Sequence, residues 1–289
     1  MGFFKKFGFL MILNFAFMLS ISLIINVFGI SRYLTVNGIN YNALMILCFI
    51  WGLSGSIFSL LLSKPIAKLT MGVKKVDKSS RLYIMVENLS KSAGIKTPEV
   101  GIYKSSELNA FATGWSRNRS LIAVSSQMVN SFSDDELYGV LGHEVAHVAN
   151  GDMVTMALVQ GLVNSFVMFF SRFLAYVVSG LFYRDRNRKS FLNVVLVFFF
   201  EIILGFFGMM ITSYYSRRRE YRADSDGARL AGKTKMIKAL EALKTTGETH
   251  YEKKMAAFKI NSQNKFKIMY IFSTHPRLDE RIKKLKENS

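Results

Sequence analysis

Two histidines four positions apart, His143 and His147, flank Glu144 in the run LGHEVAHVANGD, residues 141–152. On a helix such positions share a face, so both imidazoles can reach one ion while Glu144 is angled beside them. That is the arrangement of a zinc clip with a built-in base, although two surface histidines on an amphipathic helix would look the same. Catalytic zinc takes three protein ligands and keeps one position for water. His250 and His275 are the remaining histidines, but SRRREYRADSDGARL (216–230) offers more, because Glu220 and Asp224 are again four apart. Glu220 could be the third ligand, or an acid balancing Arg217, Arg218, Arg219 and Arg222 on a solvated face. A metal-bound imidazole usually donates its other N–H to a carboxylate, and Asp224 is placed to accept one.

The elements that must position these residues are apolar. Of 289 residues 50% are hydrophobic, with 25 Phe, 15 Met and only 3 Pro, too greasy a balance for an ordinary soluble enzyme. Runs long enough to span a bilayer occur at 8–30, 41–63, 153–182 and 191–215. The first has no small-residue cleavage site and outlasts a signal peptide's apolar region, so it reads as an uncleaved anchor. The single cysteine, Cys48, lies inside the second run, which excludes an intramolecular disulfide and a cysteine metal cluster. Spans three and four account for the placement of Glu220: two antiparallel crossings return the chain to the side of the membrane on which His143 and His147 lie.

The net charge of +18 is concentrated beside membrane exits. Lys64, Lys68, Lys74, Lys75, Lys78 and Arg81 follow span two, and the four arginines above follow span four. No nucleic-acid-binding motif accompanies them, so the partner they imply is the lipid bilayer rather than nucleic acid. The positive-inside rule puts 64–152 in the cytoplasm, and the basic loop 184–190 is the feature that fits this topology least well. Arg172 and Glu201, inside spans three and four, fall at nearly the same depth counted from their connecting loop, and we expect them to pair.

Residues 64–152 read as a compact α+β unit. A helix over 81–95 precedes three extended runs, EVGIYKS, NAFATGW and SLIAVSS, that suggest a small sheet. Ser133-Asp-Asp-Glu136 is a capping box opening the histidine helix, and Asn150-Gly151 is a stop. Residues 216–245 read as one or two helices, and 246–266 as polar with little periodicity. The expected divisions are 1–63, 64–152, 153–215 and 216–289.

NAFATG (109–114), LGHEVAHVANGD (141–152), REYRADSDGA (219–228) and STHPRLDERI (273–282), set among four hydrophobic segments, carry a resemblance over nearly the whole chain. The sequence resembles the HtpX membrane metalloproteases, relatives of the CAAX prenyl endopeptidases. The resemblance implies that His143, His147 and Glu220 bind one zinc ion, that Glu144 is the general base and that Asp224 supports His143. It further implies that Asn109 and His275 lie near the substrate carbonyl, and that NAFATG, with Ala110 and Phe111, is an edge strand along which the peptide lies. From the residues alone, a histidine before proline is more often a local hydrogen-bonding residue and an asparagine in an extended turn is usually conformational.

The implied fold is a mainly helical membrane protein with a small sheet: four hydrophobic helices and a cytoplasmic, zincin-like α+β domain built from two segments. The implied activity is a zinc endopeptidase of the bacterial inner membrane that hydrolyses misfolded or damaged membrane proteins, with unfolded polypeptides and membrane proteins as partners. An intramembrane zinc protease would carry its histidines within an apolar span, whereas this helix begins SDDE. A membrane metal-ion transporter, or a non-catalytic metal-binding membrane protein, is the reading from another class. A transporter would need ligands at mid-depth of several spans.

Overall fold

The computed structural model describes residues 40–182, 186–258 and 273–287, so the expected first span lies outside the described residues. The chain divides into two compact units, Met1–Ser59 with Thr155–Thr212, and Leu60–Val154 with Ser213–Ser289. Three helices contribute to both: α1 (Tyr41–Met71), α5 (Asp152–Phe182) and α6 (Arg186–Ala231). Among the described residues these three are long and apolar enough to cross a membrane.

In the first unit small residues let helices approach. A Cβ on Gly52 of α1 would stand 2.4 Å from Ser165 Oγ and 2.8 Å from the Ser165 backbone nitrogen, both on α5. Tyr41, Met45, the fully buried Cys48 and Phe169 form the local core. Membrane helices associate in this way because lipid gives no hydrophobic drive for helix pairing and close van der Waals contact must supply it. Large apolar side chains such as Trp51, Phe58, Phe191 and Ile202 face outward, as a lipid-solvated surface requires. Arg172 and Glu201 meet as expected, Nη1 to Oε1 at 3.0 Å.

The second unit is built on a four-stranded sheet in the order β1-β2-β4-β3, from β1 (Lys74–Lys75), β2 (Glu99–Tyr103), β3 (Ala110–Gly114) and β4 (Ser120–Ser125). β2 and β4 run parallel, while β1 and β3 pair antiparallel at the two edges. β4, flanked on both sides, is buried throughout. Helix α2 (Arg81–Ser92) is capped by Ser80, short α3 (Ser126–Ser131) follows β4, and α4 (Asp134–Asn150) lies against the sheet. Val86, Leu89, Val100, Ile122, Leu141 and Val145 join these layers into one core. Burying each contributes about 1.5–3 kcal/mol. Helices α7 (Lys233–Phe258) and α8 (Leu278–Glu287) meet through Met236, Leu240, Ile282 and Leu285.

Three details differ from the sequence expectations. The lysines of β1 join the sheet by main-chain pairing alone, which leaves no side-chain periodicity to read. The helix of span four does not end at 215 but runs unbroken to Ala231. The helix starting at Lys233 continues through Phe258, into the segment whose polar sequence lacks periodicity.

Candidate metal centre and active site

Helix α4 opens on the expected capping box: Ser133 accepts from the Glu136 N–H, and the Glu136 carboxylate accepts from the Ser133 N–H. Its register buries His143, Glu144 and His147. Helix α6 crosses α4 at a glycine, for a Cβ on Gly227 would stand 3.0 Å from the His143 backbone nitrogen. That closeness brings Glu220 and Asp224 to the histidines.

Glu220 lies at the centre. One carboxylate oxygen is 3.5 Å from His143 Nε2, the other 3.2 Å from His147 Nε2, and the two Nε2 atoms are 3.1 Å apart. Each imidazole turns its other nitrogen to a carboxylate: His143 Nδ1 is 3.0 Å from Asp224 Oδ1, and His147 Nδ1 is 2.7 Å from Asp152 Oδ2. Arg281 grips Asp224 with two charge-assisted bonds of 2.7 and 2.6 Å. His143, His147 and Glu220 each offer one ligand atom, and these lie within 4.8 Å of one another.

The donor set fits a divalent metal. With Nδ1–H donated to a carboxylate, each histidine turns Nε2 toward Glu220, and loss of the Nε2 proton to an incoming metal leaves the tautomer that metal binding requires. Burial opposes charge on His147, but Asp152 and Glu220 outweigh it and raise the imidazole to about 9. The carboxylates therefore make the cluster a place where positive charge is favoured. Burial pushes the Glu144 carboxyl up, opposed in part by the neighbouring imidazoles.

Glu144 shares a cavity of about 150 Å³ with His143, Glu220, Asn109, Ala110 and His275. His275, with a side chain 65% exposed, places Nδ1 3.0 Å from Glu220 Oε2. Asn109 is held by its main chain, accepting from the Ser125 N–H at 2.9 Å and donating to Ser125 Oγ at 3.2 Å. Phe111 is not part of the cavity lining. Strand alternation puts Ala110 and Ala112 toward the core under α4, and the Phe111 ring against Tyr103 on the opposite face, centroids 5.6 Å apart.

The family model described as Peptidase family M48 matches residues 77–289. This chain belongs to that peptidase family. Protease HtpX of Pseudomonas fluorescens (strain SBW25) is 43% identical to it over 282 residues, which cover 94% of this chain and 96% of that protein. Protease HtpX of Pseudomonas savastanoi pv. phaseolicola is 42% identical with the same coverage. The crystal structure of S. mikatae Ste24p shares the fold, with a TM-score of 0.60 at 20% identity over 97% of this chain and 69% of that one. The chain is thus an HtpX-type membrane metalloprotease: a hydrolase with apolar helices for a bilayer and a His-His-Glu group able to hold a metal.

Two residues of this M48 site are not picked out by sequence reasoning. Asp152 follows Gly151, whose φ of 66° and ψ of 37° end α4, so helical spacing from His147 does not reach it. Its signal is the acid directly after the Asn-Gly stop. Arg281 comes from α8, and only its place in STHPRLDERI marks it.

Proposed function

We propose that this chain is a zinc endopeptidase of the bacterial inner membrane, with its site facing the cytoplasm, that hydrolyses misfolded, damaged or otherwise unfolded membrane polypeptides. The observation that carries the reading is the convergence of His143, His147 and Glu220, each imidazole backed by its own carboxylate, beside a cavity that His143 and Glu220 line together with buried Glu144. Bound by these three residues, zinc would supply Lewis-acid chemistry, acidifying a water to a pKa of about 7 and polarising a carbonyl. Glu144 takes the proton of the attacking water and returns it to the leaving amine. Asp224 and Asp152 hold the two imidazoles in the required tautomer and orientation.

Among the described residues β3 pairs only with β4, and its other edge can add the substrate as a further strand. Main-chain pairing tolerates many side chains, which suits a broad range of damaged polypeptides. Ala110 and Phe111 would take part through their main chains, while Asn109 and His275 lie at the cavity where the carbonyl would sit. The cytoplasmic orientation rests on the lysines and arginines that follow the apolar runs. A transporter reading finds no support in the first unit: among the described residues the His-His-Glu group, in the second unit, is the metal-type cluster, and Arg172 and Glu201 are occupied with each other.

Digestion of a detergent-solubilised polypeptide by the zinc-loaded protein tests the reading. Glu144→Gln should keep the metal and lose hydrolysis by about 10²- to 10⁴-fold. Retained proteolysis would rule out the mechanism, and loss of metal would make Glu144 structural.

A further inference from the structure

We propose that loop 115–119, between β3 and β4, is a binding surface for the headgroups of anionic phospholipids. Lys64 is the first charged residue of α1, and Asp152 is the last before Arg172 along α5. The loop touches both exits. Lys64 Nζ donates to the Ser120 carbonyl at 3.4 Å, and Ser120 Oγ donates to the Arg117 carbonyl at 3.0 Å. Arg117 Nε lies 3.5 Å from where a Cβ on Gly151, next to Asp152, would stand. Lys64 and Lys68 also clamp Glu99, which is in register with Leu121, so this end of the sheet is tied to the end of α1. The loop is therefore fixed at the level where headgroups begin.

Its chemistry matches that level. Trp115 is exposed, and the Arg119 guanidinium sits 4.9 Å from its ring centroid. Tryptophan favours the membrane–water interface, where its ring is apolar and its N–H is wet. Among the described residues no carboxylate pairs with Arg117 or Arg119, whereas the lysines beside them share Glu99. Two uncompensated guanidiniums beside an interfacial indole suit a phosphate oxygen pair better than a neutral headgroup. The sign of the charge selects anionic lipid.

The test uses the full chain with Trp51→Phe, which leaves Trp115 as the sole tryptophan of the two in the sequence. It is reconstituted in nanodiscs of phosphatidylcholine and phosphatidylglycerol, with bromine placed near the head of the acyl chains of one lipid or the other. Trp115 should be quenched by both lipids. Quenching per mole by the brominated phosphatidylglycerol should indicate enrichment on the order of five-fold, the equivalent of one basic residue at a charged surface. Arg117→Gln with Arg119→Gln should erase the preference, and the corresponding Lys pair should keep part of it, with circular dichroism unchanged in both. Equal quenching by the two lipids would overturn the anionic assignment. A water-exposed Trp115 emission insensitive to either lipid, or quenched instead by an acidic peptide, would overturn the membrane assignment. The readout needs neither metal nor proteolysis, so it stands or falls apart from the catalytic reading.

Discussion

In the second unit, Glu220, Asp224, Asp152 and Arg281 hold two imidazoles in a connected set of bonds, whereas in the first unit Arg172 meets Glu201 through one bond. The pair neutralises itself: each member offsets the other's cost in apolar surroundings. The cluster is organised around a centre, with the imidazole Nε2 atoms and the Glu220 carboxylate facing one another and their outer atoms tied back. The half-buried charges of the apolar hairpin end in a closed pair, while the buried groups of the cluster leave donors converging on one point.

Five substitutions test that contrast. Glu220→Ala should have the largest effect, because it removes both a ligand and the carboxylate between the imidazoles; metal content after dialysis should fall to background. Full occupancy would place the third ligand elsewhere, with His275 next in line. Asp224→Ala should follow, since it removes both short bonds of Arg281, 7% exposed, as well as the carboxylate at His143 Nδ1. Denaturation in detergent should report a loss of about 3–5 kcal/mol, typical when one partner of a buried pair is removed. Asp152→Ala should weaken metal binding by about 10- to 100-fold with little of that instability, because no arginine pairs with Asp152 among the described residues. A metal titration beside a melting curve separates the two aspartates, and identical profiles would mean that they play the same part. The smallest effect is expected in the membrane pair: Arg172→Leu and Glu201→Leu should each destabilise, and the double variant by less than their sum, with a coupling of about 0.5–3 kcal/mol. Additive losses would mean that the bond carries no energy.

The parts legible in the sequence are those fixed by a local period or by membrane length. His143, Glu144 and His147 follow from a capped helix, Asp224 from its four-residue spacing to Glu220, and Arg172 with Glu201 from depth in a hairpin. Glu220 itself was reachable because two spans must bring the chain back. The rest depends on breaks and on distant packing. Asp152 comes into place only through the left-handed residue before it, and Arg281 only through the docking of α8 on α7. The Phe111 side chain went to the far face because alternation along β3, invisible without knowing which face is inside, puts its neighbours toward the helix.

Gly151 has a practical consequence for anyone wishing to work with the catalytic part in water. The turn at this residue both ends the histidine helix and swings the first residue of α5 back onto His147 Nδ1. A soluble fragment trimmed before α5 would keep His143 and His147 yet lose Asp152, the brace of His147, together with Glu220 on α6. Grafting the His-Glu-x-x-His segment onto another scaffold would lose the same brace unless the graft carried the Asn-Gly-Asp corner with it. The boundary for domain engineering therefore lies inside the membrane helix, at least one residue past the point where the motif ends on paper.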